Sequence, residues 1–184
     1  MHAKTYLAET AHICELINPD EIERMAKALS EVKGRVYMVG LGGSLANCIH
    51  MAADLRKLCN IDAVAPDNIA ELTAWANDEG FHHMFVGYLR QFEPGDALFV
   101  LSVGGGTAKV SSCLMQAVNF ARNTHGYIFG IVGPKGGSTA NLGDYVIRIP
   151  APDGRVTPHT AAFQAVIWHC LVSHPLLLKR PTKW

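Results

Sequence analysis

Residues 35–44, Arg-Val-Tyr-Met-Val-Gly-Leu-Gly-Gly-Ser, decide the fold. The first half of this segment is a continuous apolar run, which is typical of a strand that is buried on both faces of a parallel sheet. The second half is a glycine-rich turn, after which a helix is predicted to run to about Cys59. A buried strand that passes through such a turn into a helix is the repeating unit of open α/β sheets.

The same alternation continues along the chain. Further strands are predicted at 63–65, 96–101, 127–132 and 144–149, with helical segments at 69–76, at 81–92, from the turn after 101 to about 123, and at about 158–173. Two helices, at 3–17 and 19–33, precede the first strand. The prediction is an α/β fold, a three-layer αβα sandwich around a parallel sheet of about five strands. We expect residues 1–184 to form a single domain, with a helix pair (1–33) followed by the sandwich (34–184).

Composition narrows the class of protein. Of the 184 residues, 49% are hydrophobic and 17% are charged, and 16 Lys and Arg balance 16 Asp and Glu. High apolar content without charge imbalance excludes a disordered chain. A neutral chain is not expected to bind nucleic acid, which favours strongly basic surfaces. The sparse, balanced charge instead favours self-association.

The five cysteines are scattered and show no CxxC spacing. This pattern indicates free thiols in a reducing compartment rather than a disulfide framework. No apolar run approaches the ~18 residues that a membrane span requires. We therefore expect a cytoplasmic protein without a membrane partner.

A second glycine-rich turn, Ser102-Val103-Gly104-Gly105-Gly106-Thr107, follows a predicted strand and is expected to open a helix. Glycine lets a backbone aim successive N–H groups at a ligand, and a helix N-terminus adds partial positive charge. Two such turns at the carboxyl edge of a sheet predict a phosphate pocket. A plainer interpretation, tight strand-to-helix turns, stays open, and neither turn is a full Walker or dinucleotide motif. The candidate phosphate-binding residues are Gly42, Gly43, Ser44, Ser102, Gly104, Gly105 and Thr107.

The order of these motifs resembles the sugar isomerase (SIS) domain family, and more closely its phosphoheptose isomerases. The resemblance covers nearly the whole chain. Its landmarks are the two glycine-rich turns, the segment 50–55 (His-Met-Ala-Ala-Asp-Leu), the pair Asn77-Asp78 and the segment 169–171 (His-Cys-Leu).

The resemblance implies an aldose–ketose isomerisation through an enediol, with Asp54 and His169 at the positions that move protons. The implied reaction converts sedoheptulose 7-phosphate to D-glycero-D-manno-heptose 7-phosphate in heptose biosynthesis. It also implies a homotetramer whose active sites form at subunit contacts. Asn77 and Asp78 are candidates to bind the sugar by orienting a hydroxyl, and the alternative that they only end the preceding helix stays open.

Zinc is a further implication of the resemblance, with His50, Asp54 and His169 as ligands. His50 and Asp54 are four residues apart, so both project from one helix face. An imidazole pair and a carboxylate would leave a fourth zinc position open for substrate.

Departures from the family pattern keep alternatives open. The family carboxylate is usually Glu where this chain has Asp54, and Ala161 and Ala162 replace a Gln-Glu pair. Gln164, one turn further on, could offer a substitute amide. The alternatives are a non-catalytic SIS sugar-phosphate-binding or scaffold protein and an isomerase of a different sugar phosphate. The short basic tail, 179–183, is expected to be solvated.

Overall fold

Five parallel strands form the centre of the molecule in the computed structural model, which describes residues 1–183. The strands are β1 (Val36–Val39), β2 (Ala63–Val64), β3 (Ala97–Ser102), β4 (Tyr127–Val132) and β5 (Tyr145–Arg148). The α-helices are α1 (His2–Leu16), α2 (Pro19–Glu31), α3 (Gly43–Cys59), α4 (Ile69–Asp78), α5 (Met84–Tyr88), α6 (Ser112–Asn123), α7 (Gly137–Leu142) and α8 (Val156–Val172), and a 3-10 turn spans Phe81–His83.

The sheet has the order β2-β1-β3-β4-β5 and carries a helical layer on each face. Alternate strand residues point to opposite layers. Met38 and Phe99 pack with α2, α3 and α8, whereas Val39 and Val100 pack with α5 and α6. The predicted three-layer sandwich with a five-stranded parallel sheet is confirmed.

The strand order creates a crevice between β1 and β3. The chain leaves β1 toward β2 on one side and leaves β3 toward β4 on the other, and ligands of open α/β sheets bind at such a switch point. Gly40 lies at the end of β1, where an added Cβ would stand 2.9 Å from the carbonyl oxygen of Leu101. The absent side chain therefore lets the ends of β1 and β3 come together.

Two helical predictions were wrong, and one short helix was missed. The helix after β3 does not open directly from the second glycine-rich turn but begins at Ser112, because Gly105, Gly106 and Ser111 have positive φ and cannot continue a helix. Residues 81–92 form only the 3-10 turn and the short α5. The six-residue α7 was not predicted, since glycines at its start indicated a break.

No helix within residues 1–183 combines the length and the apolar character that crossing a bilayer requires.

Candidate active site

Helices α3 and α8 pack side by side and carry the candidate site on their outer faces. The side-chain amide of Asn47 on α3 bridges the pair: its Nδ2 donates to the carbonyl oxygen of Ala161 at 3.1 Å and to Oε1 of Gln164 at 3.2 Å. These bonds fix how one helix is aligned along the other. His50 and Asp54 of α3 thereby stand next to His169 of α8.

The three side chains converge on one point. Each offers a nitrogen or oxygen atom, and these three atoms lie within 4.8 Å of one another. Nε2 of His50 is 3.7 Å from Oδ2 of Asp54. Nδ1 of His169 donates to the carbonyl oxygen of Ala165 at 2.8 Å, since a carbonyl only accepts. Nε2 of His169 is therefore the nitrogen available for a proton or a metal.

This cluster is open to solvent in a single chain. The side chain of His50 is 60% exposed and that of Asp54 is 20% exposed. The exposed residues near this cluster include the apolar Ala46, Ile49, Ala53, Ala162 and Val166, with the charged Lys57 beside Asp54. An exposed apolar patch bordered by polar groups is typical of an interaction site.

The first glycine-rich turn leaves its backbone accessible at the start of α3. Gly42 has φ of 57°, and an added Cβ at Gly42 or Gly43 would meet nothing within 4 Å. The N–H groups of Ser44 and Leu45 donate within the turn to the carbonyl oxygens of Leu41 and Gly42, at 3.1 and 3.0 Å, so a ligand can approach chiefly the backbone of Gly42 and Gly43. Ser44, buried beneath this turn, is only 5% exposed.

The second glycine-rich turn uses much of its hydrogen-bonding capacity internally. The N–H of Gly105 donates to Oγ of Ser102 at 3.0 Å, and that of Thr107 donates to the carbonyl oxygen of Val110 at 2.8 Å. The carbonyl oxygen of Gly105 accepts from the hydroxyl of Thr139 at 2.8 Å. The backbone donors of Gly105 and Thr107 are thus occupied, whereas Gly104 is exposed with open space beside it.

Comparison with known proteins places this geometry in a family. The sequence profile of the SIS domain matches residues 5–131. The phosphoheptose isomerase of Mycobacterium bovis is 33% identical over 156 residues, which cover 79% of this chain and 76% of that protein. The phosphoheptose isomerase of Rhodospirillum rubrum is 32% identical over 145 residues, covering 75% and 73%. The structure of the phosphoheptose isomerase of Neisseria gonorrhoeae matches with a TM-score of 0.82 at 25% identity, covering 93% of this chain and 96% of that one.

The chain belongs to the phosphoheptose isomerases of the SIS domain family.

As a member of that family, the SIS isomerase is an intramolecular oxidoreductase that interconverts aldose and ketose forms of a sugar phosphate. Its three convergent side chains are those that the resemblance singled out. The other predicted site residues are distributed differently.

Asn77 and Asp78 lie apart from the three convergent side chains. They end α4, where Nδ2 of Asn77 donates to Oδ1 of Asp78 at 2.8 Å on an exposed surface. Helix α4 packs on α5 in the helical layer opposite α3 and α8. A single chain therefore does not bring this pair to His169.

Gln164 faces inward in the SIS isomerase. It is completely buried between α8 and α3, where its Oε1 accepts from Asn47, and its Nε2 has no partner within residues 1–183. The expectation that it offers an amide to a ligand on the outer face does not match this placement, because its position lies on the packed side of α8.

Two features escaped the sequence interpretation. Ser111 and Ser112 stand at the true start of α6, and their place before the apolar Cys113 and Leu114 is a helix-start signal that could have located them. The tail is not simply solvated, because the N–H groups of Lys179 and Arg180 donate to the carbonyl oxygen of Leu58 at 2.8 and 3.1 Å. The tail therefore lines one side of a cavity of about 440 Å³, and Asp54 and Lys57 also line it.

Proposed function

We propose that the SIS isomerase interconverts sedoheptulose 7-phosphate and D-glycero-D-manno-heptose 7-phosphate, a step of heptose biosynthesis. The observation that carries the proposal is the convergence of His50, Asp54 and His169 within 4.8 Å in a member of this family. A carboxylate and an imidazole at one point are the groups that proton transfer next to a carbonyl requires.

In the proposed reaction, Asp54 acts as the base. Its carboxylate takes a proton from C1 of the ketose, and the C2 carbonyl oxygen takes a proton from Nε2 of His169. The resulting enediol collapses to the aldose when Asp54 returns its proton to C2 and the O1 proton leaves to His169. Throughout, Nδ1 of His169 keeps its proton and donates it to the carbonyl oxygen of Ala165, so only Nε2 exchanges a proton.

The same three residues fit a zinc ion. Two imidazole nitrogens and one carboxylate oxygen are ordinary zinc ligands, and three of them leave a position open. His169 would bind through Nε2, with the Ala165 carbonyl orienting its ring from the other nitrogen. A ring that binds zinc through Nε2 could not also exchange a proton there, so zinc binding and the acid role of His169 are alternatives. A bound zinc would polarise the substrate carbonyl. Metal analysis of protein purified without chelator is expected to find about one zinc per chain, and far less would remove the ion from the proposal.

A homotetramer with active sites at subunit contacts completes the proposal. Asp78 lies in the helical layer opposite α3 and α8, apart from Asp54 and His169 of the same chain. This placement favours a site in which a second copy supplies Asp78.

The proposed phosphate subsite combines both glycine-rich turns with two helix N-termini. Gly42, Gly43 and Ser44 contribute the start of α3, and Ser102 and Gly104 flank it across the crevice between β1 and β3. Ser111 and Ser112 add hydroxyls at the start of α6. Backbone N–H groups and hydroxyls suit a phosphate without a cluster of Lys or Arg.

We also propose that residues 1–184 act as one SIS domain in the cytoplasm. The five cysteines are free thiols, which suits a reducing compartment.

A panel of ketose and aldose phosphates, screened by thermal shift and then by NMR for turnover, tests the proposed function. Turnover of sedoheptulose 7-phosphate above all others is expected. Turnover of another sugar phosphate instead would reassign the substrate. Stabilisation without turnover of any compound would favour a non-catalytic binding or scaffold protein, a second candidate supported by Ala161 and Ala162 at the site's edge and by the occupied donors of Gly105 and Thr107.

A further inference from the structure

Trp168 joins the two imidazoles of the candidate site. Its indole stacks on the ring of His169, with centroids 3.5 Å apart and an interplanar angle of 26°. The same indole meets the ring of His50 at 4.7 Å and 65°. The two imidazoles are themselves 5.6 Å apart and nearly perpendicular. One side chain therefore contacts both His residues of the cluster.

Besides Trp168, few contacts restrain the side chain of His50. Its side chain is 60% exposed, and its Nε2 lies 3.7 Å from Asp54, which is too long for a hydrogen bond. An exposed side chain in this situation exchanges rotamers freely. Trp168, by contrast, is completely buried, so its ring is fixed by the surrounding core.

A hydrogen bond does not explain why an indole stands at this position. Its Nε1 is buried and has no acceptor within residues 1–183. Because a buried donor without an acceptor costs stability, the fold alone would be served as well by an apolar side chain. What the indole supplies here is a large, flat and immobile surface.

We propose that Trp168 is a positioning residue that sets the orientation of His50 and His169 for the isomerisation, a role that rests on the proposed function. It holds the His169 ring beside Asp54 while Nδ1 donates to the Ala165 carbonyl. It also limits the rotamers of His50. Neither role requires contact between Trp168 and substrate.

Kinetics of Trp168→Leu and Trp168→Phe test this role. Misplacing a proton-transfer group by about an ångström costs ~100-fold, so Trp168→Leu is expected to lower kcat ~10- to 100-fold with KM within about threefold. Trp168→Phe retains a stacked ring and is expected to recover kcat to within about fivefold of wild type. Equal kcat in wild type and Trp168→Leu would overturn the proposal.

A matched control separates positioning from stability. Phe163 is a buried aromatic residue on the same helix, with 1% exposure, and has no role in the site. Phe163→Leu is expected to lower the Tm without lowering kcat. If Phe163→Leu lowers kcat as much as Trp168→Leu does, the effect belongs to helix packing and the positioning role is wrong.

NMR gives a reading that does not depend on activity. In wild type, the carbon-bound ring protons of His169 lie against the indole face and are expected to be shifted upfield. Trp168→Leu should move these signals toward ordinary positions and mix the Nδ1–H and Nε2–H tautomers, whereas Phe163→Leu should not. Unchanged His169 signals in Trp168→Leu would contradict the proposal. If the His169 signals shift as expected but no sugar phosphate is turned over, the proposed function is refuted and the contact between Trp168 and His169 still stands.

Discussion

Glu9 of α1 binds His159 of α8, with its Oε2 2.9 Å from Nε2 of that ring. Arg155 donates through Nε and Nη2 to the same carboxylate, and Tyr6 stacks on the His159 ring at 4.3 Å. The Arg155 and His159 hydrogen bonds hold the pKa of Glu9 at about 2, below its ordinary value of 4.5. His159 is fully buried, so this contact fixes the first helix to the last.

Glu9→Gln is expected to lower the Tm at neutral pH and to change its pH dependence. Because the folded-state pKa of Glu9 is depressed, its stabilising contribution is complete above about pH 4.5 and is lost as pH falls toward about 2. The Tm difference between wild type and variant should therefore shrink over that range. Thermal unfolding followed by circular dichroism measures it. Glu15→Gln, on the exposed end of the same helix, is the control: its one exposed pair, with His12 at 3.2 Å, contributes little, so the curve should change little. A constant Tm difference for Glu9→Gln would contradict the assignment.

Gly105→Ala is expected to destabilise the fold by at least about 2 kcal/mol, since φ is positive there and an added Cβ would overlap the carbonyl of Gly136. Gly104→Ala, one residue earlier, has open space and should change stability little. Chemical denaturation of the two variants makes the comparison. Equal stabilities would show that the second turn is less tightly packed than its geometry indicates.

Gly43→Ala separates binding from folding at the first turn. The new methyl group has no neighbour within 4 Å and should leave the Tm unchanged, yet it would stand beside the N–H groups that the phosphate is proposed to approach. Gly43→Ala is therefore expected to raise KM for the sugar phosphate ~10-fold, the effect of weakening a charged hydrogen bond by about 1.4 kcal/mol. An unchanged KM for the sugar phosphate would place the phosphate elsewhere.

Mixed oligomers test whether two chains build one site. Asp54→Asn and Asp78→Ala should each be inactive alone. If Asp54 and Asp78 of one site come from different chains, coexpression of the two variants in equal amounts should restore about a quarter of the sites. Random assembly gives that fraction of sites an intact Asp54 from one chain and an intact Asp78 from the other. Activity no greater than the sum of the two parents would indicate that the site lies within one chain or does not use Asp78.

Local patterns predicted the strands well. The apolar run from Val36 to Val39 has few alternatives, because a short buried run that ends at a glycine-rich turn suits a strand covered on both faces and is too short for a helix. The spacing of His50 and Asp54 likewise predicted a shared helix face. The strand order, however, depends on which helices cover which face, and no local pattern carries that information.

Non-local contacts explain where the structure places residues differently from the site predictions. The second turn has the composition of an anion-binding loop, but Thr139 and Gly136 from a later segment pack against Gly105. Gln164 was placed by its helical position, yet Asn47 from α3 holds it in the interior. The approach of His169 to Asp54 follows from the packing of α3 on α8 and was implied by the family resemblance rather than by spacing.

Exchange of the C1 protons of sedoheptulose 7-phosphate, and of the C2 proton of the aldose formed from it, in heavy water, followed by NMR, measures the proposed chemistry most directly. Wild type is expected to exchange these protons with solvent during isomerisation. Asp54→Asn and His169→Ala are each expected to slow the exchange ~100-fold or more, since each removes one proton-transfer group. Exchange at the wild-type rate in both variants would contradict the assignment of Asp54 and His169 as the groups that move the proton.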